Sequence, residues 1–146
     1  MKTKIYILLI ALISVSFTSC MKNRDNIYEG PDVVEFVPLT ASVKKGTVAT
    51  PGTATAVVQL VGHQQAAATE INYTISGTGV QGTDYTLSGT AGKVTIPANS
   101  SSANIVITAI PANIATGTRT VVLTLTGNSQ IGVSQNYKTY TLTIIQ

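Results

Sequence analysis

Hydrophobic and polar residues alternate along most of the chain with a period of two, which is the pattern of a half-buried β-strand. In the clearest example, Val121, Leu123 and Leu125 share one face of the run from 121 to 126. We predict about seven strands in this way, at residues 33–37, 54–60, 71–75, 94–96, 103–109, 121–126 and 140–144.

Stretches that begin or end with glycine or proline separate these runs. They cover residues 46–52, 62–68, 77–82, 89–92, 97–101, 111–117 and 127–136. No stretch beyond residue 31 has a helical period, and the strand composition is rich in threonine. The pattern predicts an all-β fold, a single antiparallel two-sheet sandwich of immunoglobulin type, with a closed barrel as the alternative.

The N-terminus has a different pattern. Lys2 and Lys4 precede an unbroken apolar run at residues 5–15, which is too short to span a bilayer and has the length of the apolar part of a signal peptide. We therefore expect a helical signal peptide at residues 1–19, a polar tether at 20–30 and the sandwich domain at 31–146.

The only cysteine of the chain, Cys20, lies where signal cleavage is expected. The segment Phe17-Thr18-Ser19-Cys20 resembles the lipobox of bacterial lipoproteins, in the relaxed form seen in Bacteroidetes. The resemblance implies that Cys20 is lipidated and anchors the protein in a membrane of the cell envelope. A residue that is not acidic at position 21, here Met21, favours the outer membrane. The resemblance leaves open whether the domain faces the periplasm or the cell surface.

A second resemblance covers residues 53–146. The segments Gly82-Thr83-Asp84-Tyr85, Val94-Thr95-Ile96-Pro97-Ala98, Ala103-Asn104-Ile105-Val106-Ile107 and Thr120-Val121-Val122-Leu123-Thr124-Leu125 occur in the order found in Calx-β repeats. This resemblance implies a Calx-β-like sandwich.

The chain departs from that family where calcium-binding repeats carry several carboxylates, which Ca²⁺ needs as ligands. Aligned with them, Pro111 and Ala112 occupy aspartate positions, and Thr116 and Arg119 occupy glutamate positions. Asp84 is retained, but a short carboxylate in a turn commonly accepts main-chain N–H groups. We therefore expect no metal site and no cofactor, and a calcium-binding module is the least favoured of the functions considered.

Composition narrows the partners further. The net charge of +3 includes Lys2 and Lys4, and without them 9 − 2 = 7 basic residues stand against 6 acidic ones. A domain so nearly neutral is not expected to bind nucleic acid.

Residues for catalysis are scarce. The only histidine, His63, lies in a predicted loop, where we expect it to be solvated. The chain has no Gly-x-Ser-x-Gly motif, and its serines, such as those at 100–102, fall in loops. Acids are too sparse to predict the paired carboxylates of a glycosidase. We expect no enzymatic activity.

A binding role remains, although the chain has no tryptophan to form a sugar-stacking platform. Tyr73 and Tyr140 alternate with core positions and are predicted to pack inside. Tyr28, Tyr85 and Tyr137 lie nearer loops and are candidates for contact with a ligand. The sequence predicts a membrane-anchored binding or adhesion module for a glycan, a peptide or an envelope protein. The alternative is a structural subunit of an outer-membrane assembly, which an exposed apolar sheet edge would favour.

Overall fold

The computed structural model describes residues 28–146, and its strands run from Val33 to Ile145. The predicted signal helix at 1–19, Cys20 and most of the tether lie outside the described residues. The elements are β1 (Val33–Val37), β2 (Thr40–Lys44), β3 (Thr53–Val61), β4 (Thr69–Ser76), β5 (Tyr85–Leu87), β6 (Lys93–Ile96), β7 (Ser102–Ala109), a 3₁₀ turn (Pro111–Asn113), β8 (Arg119–Gly127), β9 (Gly132–Val133) and β10 (Thr139–Ile145).

The strands form two five-stranded sheets. The first sheet has the order β5-β7-β3-β1-β9, and the second has the order β2-β10-β8-β4-β6. Neighbouring strands are antiparallel except for β1 with β9 and β2 with β10, which are parallel. Two separate sheets confirm the predicted sandwich and exclude the closed barrel.

All seven predicted strands are present, and the structure adds three short ones. β5 and β9 have only three and two residues, which is too short for alternation to be visible in the sequence. β2 continues β1 in the same direction but pairs with β10 in the other sheet, so the chain crosses between the sheets at Pro38.

The core lies between the sheets and is built from the alternating positions. Residues 121, 123 and 125 of β8 are each at most 1% exposed, as their spacing predicts. Phe36 of β1 packs against Tyr140 of β10, with ring centroids 5.7 Å apart. Among residues 28–146, the buried apolar residues lie between Val34 and Ile144 and form one cluster between the two sheets.

The loops gather at two ends of the sandwich. Tyr28 and the loops at 62–68, 97–101 and 127–131 meet at one end, called here the N-terminal end. The loops at 45–52, 77–84 and 110–118 meet at the other, the far end. Within residues 28–146, no helix has the length and apolar character that crossing a membrane requires.

Candidate functional site

A groove of about 480 Å³ runs between the edges of the two sheets, where β6 faces β7. We call it the lateral groove. Its apolar lining consists of Val94, Pro97, Ala103 and Ile105, and its polar lining includes Glu70, Ser88, Thr90, Lys93, Ser102 and Asn104.

The groove exists because β5 is short. β5 pairs only with the C-terminal part of β7, from Tyr85 opposite Ala109 to Leu87 opposite Ile107. The main-chain N–H of Val106 then donates to the Ser88 hydroxyl (2.8 Å), and the chain leaves the first sheet to form β6 in the second. Within the described residues, the first half of β7 therefore has no strand beside it on this side.

The strand register directs main-chain groups into the groove. The C=O of Val106 accepts a hydrogen bond from the β5 side, so Asn104, two residues earlier, also directs its N–H and C=O toward this edge. On the opposite wall, the N–H of Tyr73 donates to the C=O of Gly92, which sets the even-numbered residues of β6 toward β4. Thr95 accordingly directs its main-chain N–H and C=O outward, as Asn104 does on the other wall.

Charge in the groove is balanced. Lys93 Nζ donates to Glu70 Oε1 (2.7 Å), and both side chains are about half exposed, at 50% and 53%. Among residues 28–146, Glu70 is the only carboxylate that lines the groove, and no aromatic ring or histidine of these residues lines it. The groove offers a ligand hydrogen bonds and a small apolar surface at Pro97 and Ala103, and its two titratable side chains, Glu70 and Lys93, are bonded to each other. A second, more open depression beside it, lined by residues 65–70 and 128–130, shares Glu70.

A cluster of polar side chains lies at the N-terminal end. Asp32 Oδ1 accepts hydrogen bonds from the main-chain N–H of His63 (2.8 Å) and lies 3.1 Å from its Nδ1, while Oδ2 accepts from Gln65 Nε2 (3.1 Å). The His63 N–H, with further help from its ring, holds the pKa of Asp32 below the ordinary value of 3.8. Tyr28 meets the His63 ring edge-on, with centroids 5.9 Å apart. These contacts attach residues 28–32 to the loop after β3.

His63 is an exposed loop residue, as predicted, but Asp32 fixes its position. Among residues 28–146, no serine hydroxyl bonds the His63 ring, and the hydroxyl of Ser101 accepts a hydrogen bond from Gln64 Nε2 (2.9 Å).

At the far end, Asp84 is buried, and each of its carboxylate oxygens accepts a hydrogen bond. Its Oδ2 accepts the main-chain N–H of Val80 (2.8 Å), which confirms the predicted role of a turn carboxylate. Its Oδ1 accepts Nε of Arg119 (3.1 Å). The same guanidinium donates to the carbonyls of Thr116 (3.3 Å) and Thr118 (3.2 Å) in the loop before β8.

A second cation supports the same loop. Lys45 Nζ donates to the carbonyl of Ile114 (2.6 Å), and Asn113 Nδ2 donates to the carbonyl of Thr83 (2.7 Å). Loop carbonyls at the far end are thus held by side chains of this chain. Among residues 28–146, no three His, Cys, Asp or Glu side chains come together as metal ligands.

The tyrosines divide into two groups. Tyr73 and Tyr140 are buried, as predicted, at 4% and 0% exposure. The prediction that Tyr85 is available to a ligand is wrong: its ring is 1% exposed, because an inward-facing position at the start of β5 places it in the core. Tyr28 and Tyr137 are exposed, but neither lines the lateral groove.

The lateral groove itself was not predicted from the sequence. It depends on where β5 ends, and the only local signal is the Ser88-Gly89 pair that interrupts the strand.

The fold has known relatives among solved structures. The Calx CBD1 domain superposes with a TM-score of 0.61 and 18% sequence identity, over 80% of this chain and 97% of that one. The chain has a Calx-β-like fold. The calcium-binding domain CBD12 of CALX1.1 matches with a TM-score of 0.58 and 17% identity, over 77% of this chain and 43% of that one.

A third similar structure is a protein of Bacteroides ovatus proposed to bind carbohydrate. It matches the Calx-β-like sandwich with a TM-score of 0.56 and 10% identity, over 78% of this chain and 37% of that one. At these identities the similarity shows the fold alone. The sequence matches no model of a known protein family and none of the curated proteins.

Proposed function

We propose that the protein is a lipoprotein of the cell envelope whose Calx-β-like sandwich is a non-catalytic binding or adhesion module. The lateral groove is the observation that carries this proposal. It combines main-chain and hydroxyl hydrogen-bonding groups with an apolar lining, and its single carboxylate is neutralised by Lys93.

The ligand class is a glycan, a peptide or an envelope protein. The Bacteroides ovatus structure supports a carbohydrate because that protein is itself proposed to bind one. Asn104, Lys93 and Glu70 supply the side-chain hydrogen bonds that sugar hydroxyls require. The part of the chain that the structure describes places no aromatic ring in the groove, so the proposed contacts are hydrogen bonds.

The alternative role, a structural subunit of an outer-membrane assembly, has weaker support. We expected that role to show an exposed apolar sheet edge. The edge strand β2 is open, but its exposed side chains are Thr40, Ser42 and Lys44, which are polar. This favours a binding module over a permanently packed subunit.

A calcium-dependent role is also less well supported. The retained carboxylate of Asp84 is already paired with Arg119, and the adjoining loop is held by cationic side chains. We therefore propose no cofactor.

Binding at the lateral groove can be tested with matched lysine variants. Lys93→Ala removes a cation from the groove, and Lys138→Ala removes one that bonds only to the exposed Gln135. Thermal unfolding of residues 28–146 with a glycan panel should show a ligand that raises the melting temperature. Lys93→Ala should reduce that rise and Lys138→Ala should preserve it. Equal loss in both variants would contradict the proposed site. No stabilising ligand in the glycan and peptide panels would exclude the compounds tested and leave an envelope protein as the ligand.

The membrane anchor is tested separately in cells. Cys20→Ala should move the protein from the membrane fraction to the soluble fraction, because it removes the thiol that carries the lipid. Ser16→Ala, upstream of the lipobox-like segment, should remain in the membrane fraction. A Cys20→Ala variant that stays in the membrane would refute lipidation as the anchor.

A further inference from the structure

The sheet edges differ in how far they are covered. In the first sheet the outermost strands, β5 and β9, have three and two residues. In the second sheet the outermost strands are β6, with four residues, and β2, with five. The N–H of Lys93 in β6 already bonds the carbonyl of Thr90 (3.1 Å). β2 is therefore the longest and most open edge among the described residues.

The register of β2 with β10 shows which of its main-chain groups are free. The carbonyl of Leu39 accepts the N–H of Thr141 (2.8 Å), and the N–H of Lys45 donates to the carbonyl of Ile145 (2.6 Å). Odd-numbered residues therefore face β10, and the even-numbered residues of β2 face away from the sheet.

The outward-facing residues are Thr40, Ser42 and Lys44. Within residues 28–146, the side chains of these three residues form no hydrogen bond, and no other side chain bonds their main-chain groups. Lys44 has no ion-pair partner there. The carbonyl of Lys44 is partly covered, because Gly52 lies against it. The edge thus presents three N–H groups and two open carbonyls, which an added strand would satisfy.

The inner face of β2 is incompletely buried. Ala41 and Val43 pack against the core but remain partly exposed. A strand added beside β2 would cover their open sides, in addition to bonding the main chain.

We propose that β2 pairs with β2 of a second copy of this chain, antiparallel and centred on Ser42. In this register Ser42 lies opposite Ser42 of the second copy, and the two residues exchange both of their main-chain hydrogen bonds. The N–H of Lys44 reaches the open carbonyl of Thr40 in the second copy, and the reverse pair forms by symmetry. The two second sheets join into one continuous ten-stranded sheet.

The sequence of β2 suits this self-pairing. Each Lys44 lies opposite a neutral Thr40, and the two lysines stand at opposite ends of the pair, roughly 13 Å apart at about 3.3 Å per residue. Ala41 lies opposite Val43 of the second copy on the inner face, so a small and a larger apolar side chain meet twice. Because the contact is two-fold symmetric, it closes after two copies.

Self-pairing leaves the lateral groove open. β2 and β6 are the opposite edges of the second sheet, so a dimer would carry two unobstructed grooves and bind a multivalent ligand with increased avidity. This inference does not depend on the identity of the groove ligand.

The test is sedimentation equilibrium of residues 28–146, which contain both sheets and the core cluster between them. A five-residue edge is small for an interface, so we expect weak association, with the average mass rising toward two chains between about 10 μM and about 1 mM. Ser42→Pro removes an outward donor without touching a bond to β10 and should leave one chain at all concentrations. Ser42→Ala keeps the N–H and should associate as the wild type does.

A second pair of variants tests the register. Thr40→Lys places a lysine opposite Lys44 of the second copy and should weaken association at least about threefold, and Thr40→Glu should strengthen it by a similar factor. A mass of one chain up to about 1 mM would overturn the proposal, as would equal association of Ser42→Pro and Ser42→Ala or the same shift in both Thr40 variants. A chain that stays monomeric but binds a synthetic peptide of residues 38–45 would show that the edge accepts a foreign strand, and this would also overturn self-pairing.

Discussion

Nε of Arg119 donates a hydrogen bond to the buried Oδ1 of Asp84 across 3.1 Å, joining the start of β8 to the turn before β5. The side chain of Asp84 is 7% exposed and that of Arg119 is 28% exposed, so the pair is largely withdrawn from water. In the alignment with Calx-β repeats, Arg119 occupies a glutamate position. A guanidinium therefore lies beside the retained aspartate.

Arg119→Met should destabilise the domain by about 3 kcal/mol, because it leaves the carboxylate of Asp84 buried without its cation. The measurement is the free energy of unfolding in urea at neutral pH. The double variant Asp84→Asn/Arg119→Met should recover part of the loss, since the unpaired charge is then gone. Lys93→Ala breaks an exposed pair and should cost less than about 1 kcal/mol. A similar loss in Lys93→Ala and Arg119→Met would contradict a special role for the Asp84–Arg119 pair.

Calcium should leave the melting temperature of residues 28–146 unchanged relative to chelator. The loop at 110–118 has no carboxylate, and Arg119 already neutralises Asp84. Differential scanning calorimetry with millimolar calcium and with chelator checks this. A melting temperature that rises with calcium concentration would show a site that this account does not contain.

The hydroxyls of Tyr73 and Tyr140 are buried and have no hydrogen-bond partner within the described residues. Tyr140→Phe should therefore stabilise the domain by about 1 kcal/mol, since it removes an unsatisfied polar group and keeps the ring against Phe36. Tyr137→Phe, at an exposed position, should change stability by less than about 0.5 kcal/mol. A clear loss of stability in Tyr140→Phe would mean that the hydroxyl has a partner.

The same two tyrosines predict a loss of stability in alkali. Burial raises the pKa of Tyr73 and Tyr140 above the ordinary value of 10.0. The folded state therefore keeps both tyrosines neutral at a pH where the unfolded chain ionises them. Their contribution to the free energy of unfolding is present below pH 10 and is lost as the pH rises through the folded pKa. The double variant Tyr73→Phe/Tyr140→Phe should show a shallower decline of unfolding free energy above pH 10, and an unchanged decline would contradict this assignment.

We expect Asp32 to cause a loss of stability in acid. The N–H and ring of His63 lower the pKa of Asp32 below 3.8, so its contribution is present above the unfolded pKa and is lost as the pH falls through the folded value. The free energy of unfolding in urea should fall less in Asp32→Asn than in the wild type when the pH is lowered from 5 to below about 3. Identical pH dependence in both proteins would show that the carboxylate of Asp32 is not stabilised by His63.

How far the sequence predicts the fold depends on strand length. The runs ending at Leu125 and Ile144 span several alternating residues, and the structure confirms them. β2 alternates Ala41 and Val43 with polar residues, a pattern as short as the one that predicts the strand at 94–96, but the sequence analysis does not assign it. β9 has two residues in all, which is too few to show alternation.

The candidate site was less predictable, because its features join residues distant in sequence. Asp84 and Arg119 lie 35 positions apart, and the lateral groove exists only because β5 leaves the edge of β7 at Ser88. Tyr85 was misassigned for a related reason: the preceding turn suggests exposure, but its strand register turns the ring inward. The alternation of apolar residues along the sequence indicates which residues can face a core. Which strand edges remain open depends on how the strands pair in the fold.

The most direct test of the central claim is a titration of residues 28–146, labelled with ¹⁵N, with glycans and extended peptides while amide chemical shifts are recorded. At least one ligand should shift a contiguous set of amides around the lateral groove, centred on Thr90, Lys93, Thr95 and Asn104. Ligand-induced shifts confined to other surfaces of the domain would contradict a binding site at the lateral groove.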